Sequence, residues 1–247
     1  MERNNQTDQN QDRPRSATRV IAGTIGVLFG IAGIDHGLFE FLQGNKPTPG
    51  LVIQAIGPDQ RFWVEGTEEA FTIIPNFMIS GILAMLLGTV IVIWSIWFLQ
   101  RPKGTTVFLI LFILLFLFGG GIGQLAFFIP AWAFATRMDK PLVWWRKVLP
   151  RRSWPVLSKL WLPILILSTT IMVVGLEMAI FGWMPGLTDP AQIQNTSMSL
   201  VFTSALLNIL AFIAGFGHEL ERMETTGHLK PAAGLQSDKQ YSGLTVK

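Results

Sequence analysis

Read for polarity alone, the chain alternates between long apolar runs and short polar breaks. The runs cover residues 20–42, 74–99, 106–135, 160–184 and 200–217. A hydrocarbon core about 30 Å thick is crossed by ~20 apolar residues of helix. Helices also satisfy their backbone hydrogen bonds within one segment, which lipid demands. The pattern predicts an all-α, polytopic helical membrane protein with one transmembrane domain over 18–218. Residues 1–17, rich in Asn, Gln, Asp and Arg, and the charged stretch 219–247 read as flexible tails.

The breaks are informative too. Gly44-Asn45-Lys46-Pro47 stops the first helix, and residues 45–66 read as a mixed loop with a short apolar piece at 51–56. The second helix is expected to start as early as Thr67, with Glu68 and Glu69 in its first turn and a kink at Pro75. Residues 138–159 mix Trp144, Trp145 and Trp154 with basic side chains, the composition of a segment lying at the bilayer surface.

The run 106–135 is longer than one crossing needs, and Gly119-Gly120-Gly121-Ile122-Gly123 interrupts it. Each glycine weakens a helix by about 1 kcal/mol relative to Ala. Charge separates the two topologies, because Lys and Arg collect on cytoplasmic flanks. A single crossing makes five spans and, with a cytoplasmic N-terminus, puts the seven Lys and Arg of 137–159 outside. Inverting the protein exports Arg3, Arg13, Arg15 and Arg19 instead. A re-entrant hairpin hinged at the glycines leaves only Lys46 and Arg61, of 19 Lys and Arg, outside. The favoured topology is four full spans plus a re-entrant hairpin in the cell membrane with both termini cytoplasmic; five spans is the alternative. The hairpin has a physical cost: arms of ~14 residues reach about 20 Å, and a turn at membrane depth must be buried in protein or line a cavity.

Composition agrees. Half of the 247 residues are hydrophobic, 14% are charged and the mean hydropathy is +0.43, which excludes a soluble enzyme or a disordered chain. The basic residues orient the protein and, at Arg146, Lys147, Arg151 and Arg152, favour anionic lipid at the cytoplasmic face; no nucleic-acid partner is expected. The absence of cysteine excludes disulfides, thiolate metal sites and a cysteine nucleophile.

Candidate chemistry lies in the few polar residues within the runs. Gly23, Gly26, Gly30, Gly33 and Gly37 form one stripe on the first helix, a face on which a partner helix can pack closely. Glu40 continues that stripe, with His36 and Gln43 within one helical turn of it. Ionisable groups inside a membrane are functional candidates by default. Counted from the cytoplasmic side, His36 lies ~24 Å, Glu40 ~30 Å and Glu177 ~25 Å along their helices. Glu69 and Asn76 enter from the same outer end. These six residues, His36, Glu40, Gln43, Glu69, Asn76 and Glu177, are the candidate lining of one outward-facing pocket, while Asp35 points the other way.

The leading expectation is a membrane protein whose His/Glu pocket binds, and in the fuller form transports, a cation or small solute. A buried Glu–His pair is also a natural proton relay, but no continuous wire crosses the inner half of the spans. The runner-up is a non-catalytic membrane subunit or lipid-interacting scaffold. The third reading is a metal-dependent membrane enzyme with His36, Glu40 and Glu177 holding a divalent metal. Haem is disfavoured, since His218 and His228 lie at the far side of the bilayer from His36. Catalysis is disfavoured as well: no serine is found beside a histidine in any run, no second span aspartate pairs with Asp35, and no Lys-Ser/Thr follows the glycine cluster as a phosphate loop requires.

Overall fold

A computed structural model describes residues 16–138 and 140–226. In chain order its helices are α1 (Ala17–Leu42), α2 (Phe77–Trp97), α3 (Gly104–Leu117), α4 (Leu125–Ala135), α5 (Val143–Val148), α6 (Trp154–Phe181) and α7 (Pro190–Thr225). Three short strands, β1 (Val52–Gln54), β2 (Glu69–Thr72) and β3 (Phe118–Gly121), form one small sheet in the order β1-β2-β3. α1, α2, α6 and α7 are each long and apolar enough to cross a membrane. The protein is an all-α membrane bundle with a small strand cap.

The glycine stripe finds its partner within the chain. α1 and α2 run antiparallel, with Gly37 against Gly81, Gly30 against Gly88 and Gly23 against Ser95. A Cβ on Gly37 would stand 2.5 Å from the Gly81 carbonyl oxygen, and one on Gly81 would stand 2.4 Å from that of Gly37. Backbones this close exclude any side chain, the small-residue mode of helix packing in membranes. Further along the stripe, Gly26 faces Phe108 and Gly33 faces Leu115, so α3 shares the seam.

The run 106–135 folds as a hairpin. α3 has 14 residues and α4 has 11, about 21 Å and 16 Å of helix. Their rings meet face to face, Phe112 on Phe128 with centroids 3.4 Å apart, and Phe108 also lies 5.1 Å from Phe128. The two arms therefore fold back on each other beside α1, and one kinked helix through this region is not what forms. The hinge backbone is paired by β2, in the register Ala70 to Gly121, Phe71 to Gly120 and Thr72 to Phe118. Ile73 N–H adds a bond to the Leu117 carbonyl at 2.9 Å. The sheet thus supplies what a re-entrant turn needs, partners for its open backbone groups.

That pairing corrects the expected start of the second helix. Glu69–Thr72 is held extended between β1 and β3, so Glu68 and Glu69 are not in a first helical turn. α2 begins at Phe77, where the Asn76 side chain caps it by accepting from Ile79 N–H at 3.1 Å. Pro75 precedes the helix and kinks nothing.

α6 and α7 pair along their length, with Ser168 Oγ donating to the Ser204 carbonyl at 2.9 Å. Both are longer than the apolar pattern indicates. α6 starts at Trp154 rather than near 160, and α7 starts at Pro190, capped by Asp189, rather than near 200. α7 also continues through Thr225, so the first part of the stretch read as a tail is helical. The expected tails at 1–15 and 227–247 lie outside the described residues. Two ends of the bundle can now be distinguished. The head holds the C-terminus of α1, the N-terminus of α2 and the sheet; the basic end holds the N-terminus of α1, the C-terminus of α7 and α5. Between them lies an apolar core that includes Phe29, Phe108, Phe112, Phe127, Phe128 and Phe212.

Candidate functional site

The last turns of α1 carry His36, Gly37 and Glu40 on the buried face, while Asp35 is exposed on the other side. The i, i+4 spacing stacks His36 and Glu40 one turn apart, and the Gly37–Gly81 contact draws α2 against them. The remaining wall is the backbone of β3. A Cβ on Gly119 would stand 2.5 Å from Glu40 Oε2, and one on Gly121 would stand 2.7 Å from His36 Cε1. Gly119 also has φ +106°, a conformation other residues rarely adopt. The glycine cluster is therefore a smooth cradle for the two side chains as well as a hinge.

His36 Nε2 lies 2.8 Å from Glu68 Oε2. The His36 side chain is 6% exposed and that of Glu68 is 37% exposed, so the pair leads from the interior toward the head surface. Shielding at this position works to raise the Glu68 pKa, but the charge and hydrogen bond of His36 outweigh it and hold the carboxyl below its ordinary 4.5.

Glu40 is different. It is 0% exposed, and among the described residues neither carboxylate oxygen has a hydrogen-bond partner. The Ser80 hydroxyl lies beside it but donates to Thr72 Oγ1 at 2.8 Å. His36 Nδ1 and Gln124 Nε2, the latter just beyond β3, are likewise buried without partners. The site is net negative in either protonation state of His36 when both carboxyls are ionised. With His36 protonated its pair with Glu68 is neutral and Glu40 leaves one negative charge; with His36 neutral, two remain. Burying a bare carboxylate is costly unless a positive charge matches it.

Of the six residues expected in one pocket, the structure brings together His36 and Glu40. Gln43, one turn on, donates to the carbonyls of Gln54 at 3.0 Å and Ala55 at 2.8 Å, fastening β1 to the end of α1. Glu69 is exposed, because adjacent positions on an extended backbone face opposite ways and Glu68 takes the inward one. Gln43 and Glu69 instead line an open surface groove with Val52, Gln54 and Phe77. Asn76 caps α2 and donates to Asn45 Oδ1 at 2.7 Å. Glu177 is exposed on α6, with no hydrogen bond or ion pair to the cluster among the described residues. The divalent-metal triad of His36, Glu40 and Glu177 is accordingly not assembled, and no group of three or more His, Cys, Asp or Glu among the described residues is placed to hold a metal ion.

Glu68 is the residue that sequence reasoning missed. Its signal is the alternation in Glu68-Glu69-Ala70-Phe71-Thr72, which fits a strand with its inward face at 68, 70 and 72. The structure also sets Ser158 Oγ 2.8 Å from His218 Nδ1, a serine–histidine contact between α6 and α7 that separation along the chain conceals.

Comparison of the chain with protein-family models, with curated proteins and with solved structures finds no match.

Proposed function

We propose that the protein is a multi-pass membrane protein whose head site takes up one positive charge, a proton or a small cation, from the non-cytoplasmic side. The observation that carries this reading is Glu40, a fully buried carboxylate with neither oxygen partnered. Glu68 pairs with His36 and Ser80 with Thr72, while among the described residues the buried His36 Nδ1 and Gln124 Nε2 have no hydrogen-bond partner. Glu40 alone keeps an unmatched charge, and a cation or proton supplies the match. The basic end faces the cytoplasm, since the described Lys and Arg other than Lys46 and Arg61 gather there.

The partly exposed Glu68 gives the site its access from the head. Below it, among the described residues, the buried cluster around Phe112 and Phe128 is wholly apolar, so uptake from the head is the step these residues support; passage across the membrane requires that core to open. Thermal unfolding in non-ionic detergent tests the reading. The parent is expected to be stabilised by protons, or by one of sodium, potassium and an alkylammonium ion at constant ionic strength, and Glu40→Gln to lose that response. Equal responses in parent and variant would overturn the assignment.

A further inference from the structure

A second surface, at the basic end, has a separate chemistry. Trp145 of α5 packs on Phe216 at 4.7 Å and on Phe134 at 6.2 Å, fixing this short helix to the ends of α7 and α4. With Trp145 inward, α5 presents Val143, Trp144 and Val148 outward at 59%, 61% and 49% exposure. Arg146 and Lys147 are exposed on the same six-residue helix, and Arg152 follows in the turn before α6. Arg151 is already paired with Glu224, which leaves Arg146, Lys147 and Arg152 as the cations of interest.

Exposed tryptophan and exposed arginine on one short segment suit opposite solvents, and only one setting supplies both. The position of α6 identifies it. Directly after Lys159, α6 turns Leu160, Leu162, Ile166 and Leu167 outward, each more than 40% exposed, as a hydrocarbon-facing helix does. Arg152 therefore sits about two helical turns before the apolar belt, with Arg146 and Lys147 on the short helix that precedes it, the level where headgroups meet acyl chains. We infer that α5 and the turn after it form a binding site for anionic phospholipid, with the phosphate held by Arg146, Lys147 and Arg152 and the upper acyl chain against Trp144 and Val148.

The full-length protein in nanodiscs containing phosphatidylglycerol and phosphatidylcholine provides the test. Native mass spectrometry of the released protein is expected to show phosphatidylglycerol retained preferentially, and the preference to fall by about fivefold for each cation removed in the series Arg152→Gln, Arg146→Gln and Lys147→Gln. Brominated phosphatidylglycerol is expected to quench the parent more than Trp144→Phe, a readout that keeps every charge in place. Raising the salt concentration on the parent alone should erode the preference without any substitution. Equal retention of both lipids by the parent, or a preference that the folded triple variant keeps, would overturn the site. Retention of both lipids with Trp144 quenched equally by each would mean an aromatic anchor without headgroup recognition, which also overturns it.

Discussion

Two buried glutamates at opposite ends of the bundle make an instructive pair. Glu219, on α7 at the basic end, is 5% exposed; Glu40, on α1 at the head, is 0% exposed. Glu219 Oε1 accepts from the Ala17 N–H at 2.7 Å and Oε2 lies 3.0 Å from Arg222, so one carboxylate caps the start of α1 and meets a cation. Among the described residues Glu40 accepts no backbone N–H and forms no salt bridge. The residue type and burial are alike, and the surroundings differ. A carboxylate satisfied by its own protein fastens two helices together, whereas one left unsatisfied lowers stability unless something from outside completes it. The first is architecture; the second is what the proposed uptake of a positive charge rests on.

The largest predicted effect comes from attacking the cradle that keeps Glu40 in place. Gly119→Ala forces a side chain onto a backbone with φ +106° and into the Glu40 carboxylate. Strain of this kind costs about 1–3 kcal/mol, and the displaced hinge adds to it. A marked drop in melting temperature is expected, together with loss of the cation or proton response. Glu219→Ala comes next. It orphans the Ala17 N–H at the start of α1, a loss of about 1–3 kcal/mol. A lower melting temperature with the ion response intact is the expected outcome, and an altered response would erase the distinction between the two glutamates.

Glu40→Gln should behave in the opposite sense. It removes a charge that the protein leaves unmatched, so in buffer without the bound cation and above neutral pH the variant is expected to be as stable as the parent or more so. A loss comparable to that of Glu219→Ala would mean that Glu40 has an unrecognised partner. The sign of the change, read from melting temperatures in one detergent, decides the matter.

Much of the bundle was legible in the sequence because membranes impose simple rules. Apolar run length located the four long helices, and the asymmetry of Lys and Arg favoured the hairpin that α3 and α4 form. The stripe through Gly37 pointed to a close helix contact, and its continuation to Glu40 pointed to the site. What could not be read was pairing across distant segments. Glu68-Glu69 followed by Ala70-Phe71 suits a helix start as well as a strand, and only the unpaired glycine backbone of the hinge makes the strand necessary. Choosing Glu69 over Glu68 followed from that one misassignment. Gln43, Asn76 and Glu177 share a depth with the site but not a direction, and depth along a helix does not fix which way a residue faces across the bundle.

The smallest effect concerns the pair that links the site to the surface. Glu68 is held below its ordinary pKa of 4.5, since His36 outweighs the shielding that works to raise it. The unfolded chain therefore binds the more protons between the lowered value and 4.5, and stability rises with pH across that interval. The contribution of Glu68 is complete above 4.5 and is lost as the pH falls through its lowered value. Because the side chain is 37% exposed, solvent screens the pair and the effect is modest. Glu68→Gln should slightly lower the melting temperature at neutral pH and flatten its decline on acidification below 4.5 relative to the parent. Equal slopes would place the acid sensitivity elsewhere and leave His36 without an electrostatic partner, turning the route from the head to Glu40 into a packing contact. A flattened slope with the Glu40-dependent ion response preserved would separate the two functions of the head: His36 and Glu68 as the polar mouth, Glu40 as the charge to be met.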